Sequence, residues 1–375
     1  MKKIANFLNL TSIGGVQTIF IYYTQSKTSQ EKEILFSKTD IDKEYIDIKE
    51  KLDYRKLNFF NFLYFIYTLV SNKYINIFYN NIESKQLNLL LKLLPTNNIV
   101  LQEHGRIWNM TKKHKESYRY SVKNASLVVV NSMATKAMIK EKFGIDSDKI
   151  KVVYNGVAKP VNFQKKEIIK DELIFGFIGR LSTPKGVHVI IETAKTIPQH
   201  KFLIAGGGEL EEQLKQSATG YNNIVFLGRI KNPYDFYKLI DILIVPSIRE
   251  PLGNIIIESG FCKIPVIAAE VDGIPEIVEH KEHGILIKPS KDISINNADL
   301  PFGAPLLPTE VIDPKSLKLI TPKEISSKEL AEACNYFADN MQEIDRMGNN
   351  LYDLVDKKFT VEHYIEQIGQ LYENL

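Results

Sequence analysis

The sequence has little of several features that would fix its class at once. Its 375 residues include two cysteines, Cys262 and Cys334, which offer neither a disulfide framework nor the spacing of a metal-ligand cluster. It has no run of about 18 apolar residues that could form a spanning helix. The amino end lacks the apolar core and small-residue cleavage site of a signal peptide. These absences predict a cytoplasmic protein and leave attachment to a membrane surface open.

Acidic residues are scarce in the first half. Residues 1–160 carry 25 Lys+Arg against 14 Asp+Glu, a balance of +11, and the remaining residues carry 23 against 31, a balance of −8. A basic half favours an acidic partner such as nucleic acid, anionic lipid or a phosphorylated acceptor, although many basic surfaces are only solvated. The length and ordinary composition predict two soluble globular domains.

Strand-like and helix-like segments alternate, which is the pattern of a parallel sheet covered by helices. A predicted helix from Arg55 to Val70 is unusually aromatic. A core helix explains it better than a membrane-facing one. The basic helix from Lys112 to Lys123 suits either a membrane interface or, more commonly, solvent. The polar, Lys-rich segment 160–171 predicts the linker, after which the alternation restarts at Leu173.

Two features of the first half follow predicted strands. Gly14 and Gly15 come after the first strand, where paired glycines let a ligand approach backbone amides, although such pairs are often simple turns. His104 follows the strand from Asn98 to Glu103. That position at a sheet edge makes it a candidate, although a lone histidine is more often structural.

In the second half, several loops combine glycine with cations at strand ends. Arg180 and Lys185 flank a turn between a strand and a helix, where fixed amides and two cations favour a diphosphate. The spacing is not that of a P-loop, which argues against a nucleoside triphosphatase. Two further predicted strands end in loops of this kind. One loop contains Gly207 within a run of three glycines, and the other contains Arg229.

Two glutamates follow the buried strand from Ile242 to Val245. Glu250 lies in the loop above the sheet, and Glu258 lies on the helix that follows. Carboxylates at this edge can accept hydrogen bonds from the paired hydroxyls of a sugar or a ribose.

No metal site is predicted. Asp40-Ile41-Asp42 and Asp146-Ser147-Asp148 contain the DxD pattern, but neither follows a strand at the ligand edge. The proline- and asparagine-containing segment 291–322 is long for a connection and predicts an insertion, either functional or disordered. A helix is expected after Asp272-Gly273, and residues 328–375 have a helical period.

The order and spacing of these motifs resemble the retaining GT-B glycosyltransferases of family 4, the group 1 glycosyl transferases. The resemblance is specific across residues 175–289 and weaker before them. It rests on these segments: Gly179-Arg180-Leu181 with Lys185-Gly186, Gly206-Gly207-Gly208-Glu209, Gly228-Arg229, Pro246-Ser247, the Glu250 to Glu258 spacing, and Gly273-Ile274-Pro275-Glu276.

The resemblance implies an α/β GT-B fold of two Rossmann-like domains whose parallel sheets face a central cleft. Residues 1–160 would bind the acceptor and residues 161–359, with the insertion at about 291–322, the nucleotide-sugar donor. The helix of residues 360–375 would cross back to the first domain.

It also implies roles for the site residues. Arg180 and Lys185 would bind the diphosphate in place of a metal or other cofactor, Glu258 the ribose, and Glu250 with the amides of Leu252 and Gly253 the sugar. His104 would contact the donor sugar, and Gly14 with Gly15 would admit the phosphates or the acceptor. The donor-binding set is completed by three residues: Gly207, Arg229 and Asn254. Retention of anomeric configuration, by front-face attack without a protein nucleophile, is implied in the same way.

The expected function is therefore transfer of a sugar to a saccharide or lipid-linked acceptor in bacterial surface polysaccharide or lipopolysaccharide synthesis. Contact with an anionic membrane through the basic first domain is expected, and nucleic acid is not an expected partner. Two alternatives stay open: a glycosyltransferase acting on a soluble acceptor such as a sugar phosphate, and a non-catalytic protein that binds nucleotide sugars or nucleic acid.

Overall fold

A computed structural model describes residues 2–11, 14–27, 32–80, 84–164, 172–295, 300–301 and 306–375. Part of the first glycine loop, most of the predicted linker at 160–171 and eight residues of the 291–322 segment lie outside the described residues. The chain forms two compact units: unit 1 comprises Met1–Ala158 and Phe359–Leu375, and unit 2 comprises Lys159–Lys358.

The described residues of unit 1 form a seven-stranded parallel sheet of order β3-β2-β1-β4-β5-β6-β7. Its strands are β1 (Lys3–Phe7), β2 (Glu33–Ser37), β3 (Leu52–Lys56), β4 (Tyr74–Tyr79), β5 (Ile99–Glu103), β6 (Leu127–Val130) and β7 (Ile150–Val152). Its helices are α1 (Gly15–Ser26), α2 (Phe59–Val70), α3 (Lys85–Leu93), α4 (Lys115–Asn124), α5 (Met133–Phe143) and α12 (Val361–Glu373).

The strand order decides which sheet face each helix covers. The chain moves outward in one direction from β1 through β2 to β3, and in the other direction from β3 through β4 to β7. Right-handed crossovers therefore place α1 on one face and α2, α3, α4 and α5 on the other. The last helix, α12, packs on the α1 face, where Tyr364, Ile368 and Tyr372 join the buried core.

The structure corrects the predicted helix from Arg55 to Val70. Residues Leu52–Lys56 form the edge strand β3, and the helix begins at Phe59, with the Asn58 side chain accepting a hydrogen bond from the Asn61 amide. The sequence LDYRK lacks the apolar run of a central strand, because only one neighbour and little burial stabilise an edge strand.

The described residues of unit 2 form a second parallel sheet of order β10-β9-β8-β11-β12-β13. Its strands are β8 (Ile174–Ile178), β9 (Lys201–Ala205), β10 (Ile224–Gly228), β11 (Ile242–Val245), β12 (Val266–Ala269) and β13 (Gly284–Ile287). Its helices are α6 (Val187–Thr196), α7 (Glu211–Ser217), α8 (Pro233–Tyr237), α9 (Asn254–Phe261), α10 (Ser327–Asp339) and α11 (Gln342–Lys358). Two parallel-sheet Rossmann-like units confirm the predicted α/β fold class.

One prediction for unit 2 needs correction: the expected helix after Gly273 is a single 3₁₀ turn, Ile274–Glu276. The described part of the predicted insertion contains an antiparallel hairpin of β14 (Val311–Ile312) and β15 (Leu319–Ile320). None of the helices in the described ranges is both long and apolar enough to cross a membrane.

Candidate functional site

The site of unit 2 lies where its strand order reverses. Strands β8 and β11 are neighbours, but the helices that follow them lead away in opposite directions, which opens a crevice at their carboxyl ends. Two close contacts join the loops there. The Ile248 amide donates to the Pro184 carbonyl (2.9 Å), and the Leu181 amide donates to the Gly207 carbonyl (3.0 Å). The motifs after β8, β9 and β11 therefore form one continuous surface.

Glycine is required at the closest approach between these loops. Gly186 has φ +65°, and a Cβ there would lie 2.1 Å from the Pro246 carbonyl oxygen. An L side chain would meet both backbone strain and a clash. Gly186 thus lets the loop carrying Lys185 pack directly on the loop carrying Glu250.

Lys185 and Glu250 form an ion pair at this crevice. Lys185 Nζ lies 2.6 Å from Glu250 Oε2, and the Ser247 hydroxyl donates to the same oxygen at 3.2 Å. The Glu250 side chain is largely buried, whereas that of Lys185 remains partly accessible. A cation and a carboxylate thus face each other at an accessible sheet edge, where either can bind a charged or hydroxylated ligand.

Asp272 holds the Glu250 loop in place, and the sequence analysis did not identify it. Its Oδ2 accepts from the Glu250 amide (3.0 Å), and its Oδ1 accepts from the Ile312 amide of the hairpin (2.7 Å). The side chain is fully buried, so both bonds are strong charge-assisted contacts. The inserted hairpin is therefore connected to Glu250 through one carboxylate.

Arg249, next to Glu250 in the loop after β11, is another residue that the sequence analysis overlooked. Its guanidinium is buried, which lowers its pKa from the usual value, and the nearby Asp272 and Glu250 carboxylates oppose that shift. It adds positive charge beneath the loop. Its signal in the sequence was only its place next to Glu250.

Arg180 and Arg229 lie on the neighbouring loops. Arg180 is exposed and pairs with Glu209 at the end of the three-glycine run. Arg229 lies against Gly207, since a Cβ built on that glycine would be 3.1 Å from Arg229 Nε. The three predicted residues Arg180, Gly207 and Arg229 thus lie on adjacent loops of one sheet edge.

Glu258 occupies a different environment on α9. Tyr237 donates a hydrogen bond to Glu258 Oε2 (3.0 Å). Burial raises the pKa of Glu258 from 4.5 to about 7, although the Tyr237 bond opposes this shift. Helix α9 starts at Asn254, after buried Leu252 and after Gly253 with φ +104°. The amino end of this helix lies between the two glutamates in the chain.

In unit 1, Gly14 and Gly15 stand at the start of α1, in the connection that follows β1 at the corresponding strand-order reversal. Gly14 has an extended backbone with φ −157°, so its conformation does not itself require glycine. A Cβ there would meet only the flexible end of Gln17. The pair therefore offers free amides of a helix start rather than a strained turn.

His104 is held by a network of amides and tyrosines. Its Nε2 lies 3.0 Å from Gln102 Oε1 and its Nδ1 3.2 Å from Asn155 Oδ1. Gln102 also bonds the hydroxyls of Tyr364 and Tyr372 on α12. Burial lowers the pKa of His104 to about 4. The ring is therefore neutral near pH 7, and it can donate a proton in a hydrogen bond from one nitrogen only.

Metal ligands do not cluster in the described ranges: no group of three or more His, Cys, Asp or Glu side chains is placed to hold an ion. Cys262 and Cys334 are buried and unlinked.

Comparison with protein families identifies the chain. The family of "Glycosyl transferases group 1" matches residues 158–298, and "Glycosyltransferase Family 4" matches residues 75–159. These matches support a GT4-type group 1 glycosyltransferase. The first match spans the whole Lys185–Glu250 crevice and α9, and the second includes His104 and Asn155.

Curated relatives of this chain include two named for surface-polysaccharide synthesis. The chain is 26% identical over 184 residues to the capsular polysaccharide biosynthesis glycosyltransferase CapM of Staphylococcus aureus, covering 47% of this chain and 46% of CapM. It is 31% identical over 152 residues to the O-antigen biosynthesis glycosyltransferase WbnH of Escherichia coli, covering 40% and 43%. The chain thus spans about half the length of the curated relatives it matches.

Among solved structures, the crystal structure of Anabaena Alr3699/HepE in complex with UDP-glucose is similar over 100% of both chains, with a TM-score of 0.73 and 21% identity. At this identity the likeness shows the fold, which is GT-B.

Proposed function

We propose that this protein transfers a sugar from a nucleotide-sugar donor to a saccharide or lipid-linked acceptor in the synthesis of a bacterial surface polysaccharide such as capsule, O-antigen or lipopolysaccharide. The observation that carries the proposal is the Lys185–Glu250 pair at the strand-order reversal of unit 2. Relatives named for capsule and O-antigen synthesis support the pathway class, and the complex of HepE with UDP-glucose supports the donor class.

In this proposal, the cations, carboxylates and amides of the unit 2 crevice each bind one part of the donor. Its diphosphate binds Lys185 and Arg180, which are cations beside the amino end of a helix. Glu258 accepts hydrogen bonds from the ribose hydroxyls. Glu250 and the amides of Leu252 and Gly253 bind the sugar, while Gly207, Arg229 and Asn254 line the remaining surface of the donor.

The two cations also stabilise the reaction. As the bond between sugar and diphosphate breaks, negative charge grows on the leaving phosphate, and Lys185 and Arg180 neutralise it without requiring a metal ion. Losing one preorganised contact of this kind should raise the activation free energy by about 3–4 kcal/mol. We propose retention of configuration by front-face attack, with no protein nucleophile.

Unit 1 binds the acceptor in this proposal. Gly14 and Gly15 offer backbone amides, and neutral His104 donates a hydrogen bond to a sugar hydroxyl by exchanging its contact with Gln102 or Asn155. The excess of positive charge in residues 1–160 favours a lipid-linked acceptor on an anionic membrane at the inner face of the cell envelope over a neutral soluble one.

The test is a thermal shift with nucleoside diphosphates and nucleotide sugars in the presence of a chelator. A bound ligand stabilises the folded state by about 2.7 kcal/mol at a concentration of about 100 times its Kd. Lys185→Ala should abolish the shift. Lys201→Ala is the matched control, since Lys201 also pairs with a glutamate but lies at the opposite, amino end of β9.

The outcomes separate the alternatives. A shift with one nucleotide family that survives Lys201→Ala but not Lys185→Ala supports the donor site and names the base. No shift with any nucleotide, or a shift that Lys185→Ala leaves intact, contradicts the proposal.

A further inference from the structure

Helix α2 of unit 1 presents an apolar face to solvent. Its 12 residues, FFNFLYFIYTLV, contain no charge. Phe59 and Phe60 are 71% and 77% exposed, and Phe62, Leu63 and Tyr67 are also exposed. Among the described residues five large aromatics are exposed, and four of them lie on this helix. A surface helix normally turns polar residues to water, so this face requires another explanation.

The fold accounts only for the opposite face of α2. Phe65 is buried and packs on three phenylalanines of the sheet, Phe7, Phe36 and Phe78, at ring-centroid distances of 5.5, 5.3 and 6.2 Å. The side-chain amide of Asn76 donates to the Thr68 carbonyl on the same side (2.9 Å). The core face is therefore complete without the exposed aromatics, which corrects the expectation that the aromatic run is simply a core helix.

The surroundings of this face carry positive charge. Residues 55–124, which contain α2, α3 and α4, have 11 Lys+Arg against 3 Asp+Glu, and two of these cations, Arg55 and Lys56, pair with Asp53 and Asp40 just outside that range. One of the acids within the range, Glu103, is buried and accepts from the Gly105 and Ile107 amides. Because right-handed crossovers put α2, α3 and α4 on the same side of the sheet, the apolar helix and the five cations of α3 and α4 lie on that side together. Helix α3 adds exposed Leu89 and Leu93 to it.

We propose that this surface docks on an anionic lipid bilayer, with Phe59 and Phe60 inserted at the boundary between headgroups and acyl chains. Aromatic side chains beside cations match that boundary, because each lysine or arginine near an anionic surface adds to the attraction. A second copy of the chain would bring two basic faces together, which like-charge repulsion opposes.

The position of α2 gives the docking a role that rests on the proposed function. The helix starts just after β3, at the carboxyl edge of the sheet, the edge that also carries Gly14, Gly15 and His104. Docking therefore brings the acceptor side of unit 1 to the membrane surface. The acceptor class is then a lipid-linked saccharide rather than a soluble sugar phosphate.

The experiment measures binding to vesicles of phosphatidylcholine with and without phosphatidylglycerol, using the full chain. Phe59→Ser/Phe60→Ser should weaken binding to the anionic vesicles by at least about 100-fold, because two large apolar side chains no longer enter the boundary between headgroups and acyl chains. Val225→Ser/Leu227→Ser is the control, because these residues are exposed on β10 of unit 2. Its binding should match that of the unmodified chain.

A second variant tests insertion directly. In Phe60→Trp the new indole should shift its emission to the blue on binding and be quenched by brominated acyl chains. The native Trp108 is buried and supplies a constant background. A nucleotide-induced thermal shift in every variant shows that the donor site is intact, so failure of docking is distinguishable from failure of the proposed transfer.

Three results would overturn the inference. If binding is salt-sensitive, is unchanged in Phe59→Ser/Phe60→Ser, and the Phe60→Trp indole is not quenched, the protein adsorbs by electrostatics alone. If the chain binds no vesicles but forms a concentration-dependent dimer that Phe59→Ser/Phe60→Ser abolishes, the face is a self-interface. Equal weakening by the Val225→Ser/Leu227→Ser control would remove the special role of α2.

Discussion

Replacing Glu258 by glutamine should separate stability from nucleotide binding through pH. Glu258 is buried, which raises its pKa from 4.5 to about 7. Between these values the folded state binds a proton that the unfolded chain has released, so stability falls as the pH rises through this range. The difference corresponds to about 3 kcal/mol, at about 1.4 kcal/mol per pH unit.

Glu258→Gln removes this ionisation. Below about pH 4.5 the variant should match the unmodified chain, and above about pH 7 it should be more stable by about 3 kcal/mol. For a unit of about 200 residues this corresponds to about 6–12 °C in Tm. Calorimetry is the assay, because two units need not unfold together and their transitions must be resolved.

Nucleotide affinity should change in the opposite direction. If ribose hydroxyls donate to the ionised carboxylate, affinity should rise with pH by up to about tenfold per unit below about pH 7 and level off above it. Glu258→Gln should lack that component, and titration of the nucleotide phosphate cancels in the comparison. Tyr237→Phe is the second variant. Removing its hydroxyl takes away the bond that lowers the Glu258 pKa, so both transitions should move to higher pH.

Two results would refute this reasoning. If the Tm values of Glu258→Gln and the unmodified chain differ by a constant amount at all pH values, the carboxyl does not titrate in the expected range. If stability shows the transition and affinity does not, Glu258 is a buried structural acid and the ribose role is wrong.

Three further predictions concern other parts of the site. Gly186→Ala should destabilise the protein by more than about 1 kcal/mol, because Gly186 has a positive φ and its Cβ would clash with the Pro246 carbonyl. Gly369→Ala is the control: it lies on α12, where a Cβ meets open space, and should be neutral or stabilising by up to about 1 kcal/mol. Thermal unfolding of the two variants measures the difference. Asp272→Asn places an NH₂ group against a backbone N–H, so it should lower the free energy of unfolding by about 1–3 kcal/mol and weaken nucleotide binding. Asp313→Asn, in the hairpin that Asp272 contacts, should leave nucleotide binding unchanged. Calorimetric titration measures the binding. The His104 ring proton should show no NMR titration between about pH 6 and about pH 9, since its pKa lies near 4; a midpoint near pH 6.5 would contradict the buried neutral ring.

The sequence was informative where local pattern and topology agree. Strands such as Glu33–Ser37 and Tyr74–Tyr79 are buried and largely apolar, in keeping with the predicted alternation of strands and helices. The loops after β8 and β11 could be predicted to converge, because carboxyl ends of parallel strands share one edge. The same pattern failed for Leu52–Lys56, whose polar composition reflects its edge position.

What escaped the sequence analysis depends on contacts between distant residues. Asp272 is 22 positions from Glu250 and 40 from Ile312, so nothing local indicates that it joins them. Gln102 likewise meets Tyr372 across 270 positions. The aromatic run of α2 indicated burial, and composition alone could not show that only one side of the helix is covered.

The arrangement of unit 1 also constrains the order in which the protein can fold during synthesis. Residues 1–158 leave the ribosome first, but their core lacks Tyr364, Ile368 and Tyr372 until α12 has been made, after all of unit 2. Unit 2 is continuous in the chain and can complete its fold earlier. The nascent first half must therefore keep an apolar surface beside α1 open throughout that interval, where a chaperone can bind it. A late folding step that depends on α12 then decides when the core of unit 1 is complete.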